Sequence, residues 1–199
     1  MQNKPHFSIV IPYHDTLLTA FFLQRLLTSI NEQSLKDYEI ILVREGLPGQ
    51  TINAGIRKAK GELIKIMCMD DWFAPKNALM NIADSFKGNW QICGSHDNPH
   101  PYWTDKVPYG YNTLGGLSSI TMKNDDPVLF DDNLKWMIDV EFYHRAFMKW
   151  GEPTILDGIT VNIGTGDYQL TRQISDTEKQ AEFDLVAKRF KDTEITYIP

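Results

Sequence analysis

Several features that mark whole classes of protein are missing from this 199-residue sequence. Cys68 and Cys93 are the only cysteines, and each lies in an apolar segment, so we expect two reduced, buried thiols and no disulfide framework. No apolar run approaches the roughly 20 residues that cross a bilayer. The first six residues lack the basic-then-apolar order of a secretion signal. The expectation is a soluble, cytoplasmic protein without a membrane span.

Basic charge is also scarce. Lys and Arg total 20 against 26 Asp and Glu, which gives a formal net charge of -6. Binding to nucleic-acid backbones needs clustered Lys and Arg. The group Arg57, Lys58 and Lys60 is typical of the solvated face of a helix. The sequence therefore carries no strong nucleic-acid signal.

Apolar runs and helical spacing alternate along the first half of the chain. This alternation predicts an α/β fold with a mostly parallel central sheet, flanked by helices and joined by right-handed crossovers. With 42% hydrophobic residues, the length suits one domain. The predicted strands are His6–Tyr13, Tyr38–Val43, Leu63–Met69 and Trp90–Gly94, and the helices are Leu17–Glu32, Thr51–Lys60 and Lys76–Phe86.

The second half is less regular. Residues 95 to 108 contain several prolines and aromatic residues with little periodicity, which indicates an irregular loop. Ser175 and Glu178 form an S-x-x-E capping box before a last helix that runs to about residue 190. The other predicted elements are the strands Ser118–Met122 and Ile155–Ile163 and the helix Met137–Trp150.

Polar residues follow the first three predicted strands, where an open parallel sheet binds its ligands. They are Tyr13-His14-Asp15, Arg44-Glu45 and Asp70-Asp71. Two adjacent carboxylates repel each other unless a cation or ordered donors balance them. Mn²⁺ or Mg²⁺ prefers such oxygen ligands and takes the rest from substrate phosphates. A turn that caps the next helix is the alternative interpretation of Asp70-Asp71.

These residues, in this order, resemble the family 2 glycosyltransferases with the GT-A fold. The likeness covers roughly residues 7 to 160, and its strength lies in the order and spacing of several motifs. Ser8–His14 is similar to the family's S-V-I-I-P-x-Y-N strand and Glu39–Val43 to its second strand. Asn53–Glu62 is similar to N-x-G-I-x-x-A-x-G-E, Asp70–Pro75 to D-D-W-x-x-P, and Asp139–Arg145 to E-D-x-x-x-x-x-R.

The resemblance implies a single domain over residues 1–199, with a nucleotide-donor half at about 6–95 and an acceptor and catalytic half at about 96–199. It implies a metal-dependent transfer, with inversion, from a nucleotide diphosphate sugar to an acceptor hydroxyl that the sequence does not identify. Uridine diphosphate sugars are the family's commonest donors. By the same likeness Asp139 is the general base, which removes the acceptor proton, and Mn²⁺ or Mg²⁺ neutralises the leaving diphosphate.

The likeness also assigns the binding residues. We expect donor contacts from Pro12, Tyr13, His14, Glu45, Asn53, Arg57, Asp70, Gly115 and Gly116. The metal ligands are expected to be Asp70, Asp71 and Asp167, the last replacing a histidine that many GT-A enzymes have and residues 163–169 lack. A glycine-rich turn is the alternative for that stretch. Cys68 stands where many relatives have the first Asp of D-x-D. Ile52 stands where many have an Arg that contacts a donor phosphate, so Arg44 or Arg57 would supply that contact instead.

Acceptor contacts are expected from His96, Trp103 and Trp136, since aromatic faces stack on sugar rings. His96 and Trp103 belong to an aromatic cluster that would otherwise anchor its loop by packing. Glu141 is a rival base, but it stands four residues before Arg145 on one helix face, which favours a salt bridge. The cluster is His96, Asp97, His100, Tyr102, Trp103, Tyr109 and Tyr111.

Two other functions stay open at this point. A nucleotidyltransferase would be expected to have a glycine-rich phosphate loop after the first strand, and Pro12-Tyr13-His14-Asp15 contains no glycine. A catalytically silent module that binds a sugar or nucleotide is favoured by Cys68, by Ile52 and by the missing histidine. The sequence leaves open whether the chain forms a homodimer.

Overall fold

The computed structural model describes residues 4–44, 46–107 and 111–192. Within the described ranges its strands form one seven-stranded sheet, in which every residue of β3 and β5 is buried. The strands are β1 Phe7–Pro12, β2 Tyr38–Val43, β3 Leu63–Ile66, β4 Trp72–Phe73, β5 Trp90–Ser95, β6 Ile120–Lys123 and β7 Thr154–Asn162.

The strand order is β2-β1-β3-β6-β5-β7-β4. β1 pairs in parallel with β2 and β3, and β5 pairs in parallel with β7. β6 is antiparallel to both β3 and β5, and β4 is antiparallel to β7. In the described part of the chain, five of the seven strands therefore point the same way, which confirms the predicted α/β fold.

Helices cover both faces of the sheet. They are α1 Thr19–Asn31, α2 Pro48–Lys58, α3 Ala78–Ser85, α4 Ile138–Trp150, α5 Leu170–Gln173 and α6 Asp176–Asp192. Alternate residues of β1 face opposite sides, so that Ile9 packs with α1 and α3 while Val10 packs with α2, α4 and α6. The result is a three-layered α/β/α arrangement.

Two predicted boundaries were wrong in ways that affect the site. β3 ends at Ile66, three residues earlier than predicted, because Val10 is the last residue of β1 that pairs with it. Cys68 thus leaves the sheet and is partly exposed, whereas Cys93 is buried as predicted; both thiols are free. α2 begins at Pro48, three residues before the predicted start, since proline suits the first turn of a helix.

The sheet directions bring several segments to one edge. β1, β3, β5 and β7 all end there, and the antiparallel β6 begins there after a 3-10 turn, Leu117–Ser119. None of the helices in the described ranges combines the length and apolar character that a membrane crossing requires. The capping box of α6 is confirmed: Glu178 N donates to Ser175 Oγ, and Ser175 N donates to Glu178 Oε2, both at 3.2 Å.

Candidate active site

A cavity of about 600 Å³ opens at this edge of the sheet. Its volume is typical of small-molecule sites. Residues that lie far apart in the sequence line it: Pro12, Tyr13 and His14 after β1, Leu47 and Pro48 at the start of α2, Cys68 to Asp71 after β3, Gly116 and Leu117 before β6, Trp136, Ile138 and Asp139 at the start of α4, and Ile163, Gly164 and Tyr168 after β7.

Asp71 is a buried anchor between three strands. Its carboxylate accepts hydrogen bonds from the Ser118 hydroxyl and from the Gly164 N–H, the latter at 2.8 Å. Only 4% of the residue is exposed. Burial, and then the neighbouring charge of Asp70, raises the pKa of Asp71 to about 7. Both oxygens are therefore committed to joining the end of β3 to the start of β6 and the end of β7.

Asp70 is half-buried and lines the cavity. Burial raises the pKa of its carboxyl group, while the nearby charges of Arg25 and His14 oppose that rise. The Arg25 guanidinium donates to the Asp70 carbonyl and lies 3.7 Å from the centre of the Trp72 ring. We did not predict this role for Arg25, although it is the only charged residue of α1 and so carried a signal.

A fully buried lysine contacts the turn that holds Asp71. Lys65 on β3 donates to the carbonyls of Ser118 and Ile120, the latter at 3.3 Å, and its Nζ lies 3.9 Å from Cys93 Sγ. Burial lowers the pKa of Lys65. Through Ser118, Lys65 fixes the turn that holds Asp71. Sequence reasoning missed it, though a lysine within an otherwise apolar strand was the available signal.

Asp139 is the second residue of α4 and faces the same cavity as Asp70. Its Oδ1 accepts from Val140 N at 2.8 Å, and its Oδ2 accepts from Asn112 Nδ2 at 3.1 Å. Burial raises the pKa of Asp139 to about 6. The carboxylate is thus oriented and more basic than an ordinary aspartate, as a general base near neutral pH requires.

Asn112 links Asp139 to the pair Gly115-Gly116, which precedes β6. The Asn112 amide group also donates to the Gly115 carbonyl at 2.9 Å, and the same carbonyl accepts the buried Tyr143 hydroxyl at 2.8 Å. Gly115 has a φ of 104°, which L side chains rarely adopt. Gly116 lines the cavity. We did not predict Asn112, because a lone Asn in an irregular loop gives no sequence signal.

Of the three residues expected to contact the acceptor, Trp136 lines the cavity. Trp103 instead stacks on Phe147, with ring centres 4.7 Å apart, and packs against the core. His96 Nδ1 accepts from Ile163 N at 3.1 Å. Neither of these two is among the lining residues, and Tyr109 lies outside the described residues.

The expected donor contacts also divide into two groups. Pro12, Tyr13, His14, Asp70 and Gly116 line the cavity, whereas Asn53, Arg57 and Gly115 are not among its lining residues. Asn53 is 1% exposed and bonds to both backbone groups of Phe130 at 2.8 Å. Arg57 is exposed on α2, and Glu45 lies outside the described residues.

The two other acidic candidates, Asp167 and Glu141, each pair with an arginine. The side chain of Asp167 is fully exposed and pairs with Arg172 at 3.0 Å. Glu141 accepts two hydrogen bonds from Arg145, each 2.6 Å long, which confirms the predicted salt bridge. Within the ranges that the structure describes, no three His, Cys, Asp or Glu side chains are grouped so as to hold a metal ion.

Several solved structures have a fold similar to that of this chain. TarS 1-349 from S. aureus in complex with UDP-GlcNAc matches with a TM-score of 0.65 and 14% identity, over 96% of this chain and 73% of TarS 1-349. TarS in complex with UDP matches with a TM-score of 0.63 and 16% identity, over 93% and 70%.

A mannosyltransferase from Pyrobaculum calidifontis, in complex with GDP-Man and Mn²⁺, matches with a TM-score of 0.58 and 14% identity, over 84% of this chain and 59% of its own. No protein-family model and no curated protein sequence matches the chain. The structural likeness establishes the GT-A fold, which the resemblance inferred from the motifs had implied.

Proposed function

We propose that this chain is a metal-dependent glycosyltransferase that moves a sugar from a nucleotide diphosphate sugar to an acceptor hydroxyl, with inversion. One observation carries the proposal: Asp70 and Asp139 line the same cavity, at the carboxyl edge of a GT-A sheet. Uridine diphosphate sugars are the first donors to test, since TarS binds UDP and UDP-GlcNAc. The GDP-Man bound by the mannosyltransferase makes a guanosine donor the second choice.

The residues around Asp70 fit a divalent cation that is shared with the donor. Asp70 is a half-buried carboxylate whose pKa is raised by burial, so a cation beside it would restore the ionised form. Mg²⁺ and Mn²⁺ commonly bind one or two protein carboxylates and complete their shell with phosphates. Asp71 would support the site from behind, because Ser118 and Gly164 occupy its oxygens. Asp167 would join it only after leaving Arg172.

Asp139 is proposed to take the acceptor proton. As the acceptor oxygen bonds to the anomeric carbon, the bond from that carbon to the diphosphate breaks and the proton passes to the Asp139 carboxylate. Asn112 holds Oδ2 at 3.1 Å and so orients the base. A bound divalent cation would supply charge neutralisation for the leaving diphosphate. Trp136, beside the base, offers an aromatic face for the acceptor sugar.

The two proposed halves of the domain both contribute to the cavity. Residues from 12 to 71 supply Pro12, His14 and Asp70, and we assign them to the nucleotide donor. Residues after 96 supply Gly116, Trp136 and Asp139, which we assign to catalysis and the acceptor. Asn53, Gly115, His96 and Trp103 would then act through the packing around the site. Arg57 is exposed on α2 outside the lining of the cavity, and no role in donor binding is proposed for it.

The test is a screen of nucleotide sugars with Mn²⁺ or Mg²⁺ that follows release of the nucleoside diphosphate, with mass spectrometry of products from active donors. We expect slow donor hydrolysis even without an acceptor, because water can replace the hydroxyl. Binding of a nucleotide sugar without any turnover would identify the chain as a silent binding module and overturn the proposal.

Asp139→Asn is expected to keep donor affinity and lose transfer, because the amide cannot accept the proton. The measurement is donor binding by calorimetry beside steady-state turnover. Glu141→Gln is the matched comparison on the same helix: its carboxylate faces Arg145, so turnover should persist even if stability falls. Full activity in Asp139→Asn would refute the assignment of the base.

A further inference from the structure

Three consecutive backbone N–H groups just before α4 converge on one side chain of α6. Lys135 N donates to Glu182 Oε1 at 2.8 Å, and Trp136 N and Met137 N donate to Glu182 Oε2 at 2.8 and 3.0 Å. Glu182 lies 45 residues beyond Met137 in the sequence, in the middle of α6. The carboxylate therefore joins the last helix to the segment that leads into α4.

Consecutive N–H groups of this kind form a concave site that favours an anion. The start of a helix favours negative charge as well, because its first N–H groups lack partners within the helix. Met137, at the N-cap position of α4, makes no capping hydrogen bond with its side chain. Glu182 therefore brings a negative charge from another helix to the backbone N–H groups that lead into α4.

The capped segment is part of the candidate active site. Lys135 and Trp136 line the cavity, and Asp139 follows Met137 by only two residues. Other contacts tie α6 to the same region: Lys135 Nζ lies 3.3 Å from Glu178, and Arg189 pairs with Asp131. Contacts with α6 are therefore made by the segment that leads directly to Asp139.

We propose that Glu182 is a positioning residue, which holds Asp139 and Trp136 in place for transfer by clamping the N–H groups of residues 135 to 137. This inference rests on the proposed function, since it assumes that Asp139 is the base. Glu182 itself is absent from the lining of the cavity, so it acts through the backbone and not by touching substrate.

The experiment compares Glu182→Gln and Glu182→Ala with the wild type. Asp184→Asn is the matched control, because Asp184 lies on the same helix, is exposed, and bonds to Gln180 of α6. We expect Glu182→Gln to lower kcat by about tenfold or more with the donor KM unchanged, since small displacements of a catalytic group cost rate and not binding. Hydrogen exchange should rise at residues 134–139, and Asp184→Asn should match the wild type.

Restoring activity with a small carboxylate distinguishes a positioning role of Glu182 from a general loss of structure. Glu182→Ala leaves room beside the three N–H groups, so added formate should restore part of kcat, whereas chloride at the same ionic strength should not. An unchanged kcat in Glu182→Gln, or a rise in exchange spread evenly over the chain, would overturn the inference. Raised exchange at 134–139 in a protein that turns over no donor would support the clamp and refute the proposed function.

Discussion

At the scale of single residues, the burial of Asp139 is unfavourable for its charged form. Asp139 lines the cavity, its Oδ2 accepts from Asn112, and burial raises its pKa to about 6. An ordinary unfolded aspartate has a pKa near 3.9. The folded protein therefore binds this proton more tightly than the unfolded chain does.

The sign of that difference gives a stability prediction. As pH rises from about 4 to 6, the unfolded chain releases the Asp139 proton first, so this residue makes the fold progressively less stable and its cost is complete above pH 6. Asp139→Asn should then melt several degrees above the wild type at pH 7, on the order of 2 kcal/mol. The difference in melting temperature between the two proteins should disappear near pH 4.

Melting curves between pH 4 and pH 7 test this prediction. Asp105→Asn removes an exposed carboxylate whose hydrogen bond comes from the adjacent Thr104, and it serves as the control. A variant that is no more stable than the wild type at pH 7, or a gap that widens as the pH falls, would contradict the assignment of a raised pKa to Asp139.

At the scale of elements, Asn53 is a motif residue that joins two segments of the fold. The Asn53 amide bonds to both backbone groups of Phe130 at 2.8 Å and to Asp132 at 2.7 Å, and so fastens α2 to the segment before α4. Those partners are 77 and 79 residues away. The motif that contains Asn53 was recognised in the sequence, but its long-range partners could not be.

We predict that Asn53→Ala lowers stability by about 1–3 kcal/mol, because it leaves buried backbone groups without a partner. Nucleotide affinity of the folded protein should be unchanged. Urea unfolding and calorimetry at low temperature measure the two effects. Asn77→Ala, which removes an exposed amide bonded to Asn81, should alter neither quantity. A large loss of nucleotide affinity at normal stability would instead make Asn53 a donor contact.

The elements themselves were largely predictable because their apolar periodicity is local. The segment 38–43 was predicted without error, and α4 within one residue. The two-residue β4 and the four-residue α5 were missed, since so few residues show no periodicity. The antiparallel direction of β6 was not predictable either, because the composition of a strand does not encode which way it runs.

At the scale of the whole molecule, the candidate site is held together by contacts between residues far apart in the sequence, which motifs do not reveal. Motif order predicted Asp70 and Asp139 as site residues, and both line one cavity in the structure. Arg25, Lys65, Asn112 and Glu182 were not identified, because each acts on a partner at least 27 residues away in the sequence. The residues that hold the segments around the two carboxylates could therefore not be predicted from the sequence.

Because the cavity collects residues from position 12 to position 173, a bound nucleotide should stabilise the whole fold. Ligand at 100 times its dissociation constant adds about 2.7 kcal/mol. We predict that Mn²⁺ enlarges the rise in melting temperature that UDP produces in the wild type, and that Asp70→Ala abolishes this Mn²⁺-dependent part. The cation would lose its protein ligand, while contacts to the nucleotide base would remain.

Thermal shifts with UDP alone, Mn²⁺ alone and both together measure the effect. Asp167→Asn is the matched comparison, since it also removes one carboxylate at this edge of the molecule, but one paired with Arg172 in solvent. A Mn²⁺-dependent shift that survives in Asp167→Asn and disappears in Asp70→Ala assigns the metal to Asp70 and the diphosphate. Equal shifts in wild type and Asp70→Ala would remove Asp70 from the metal site, and with it the proposed alignment of donor and base.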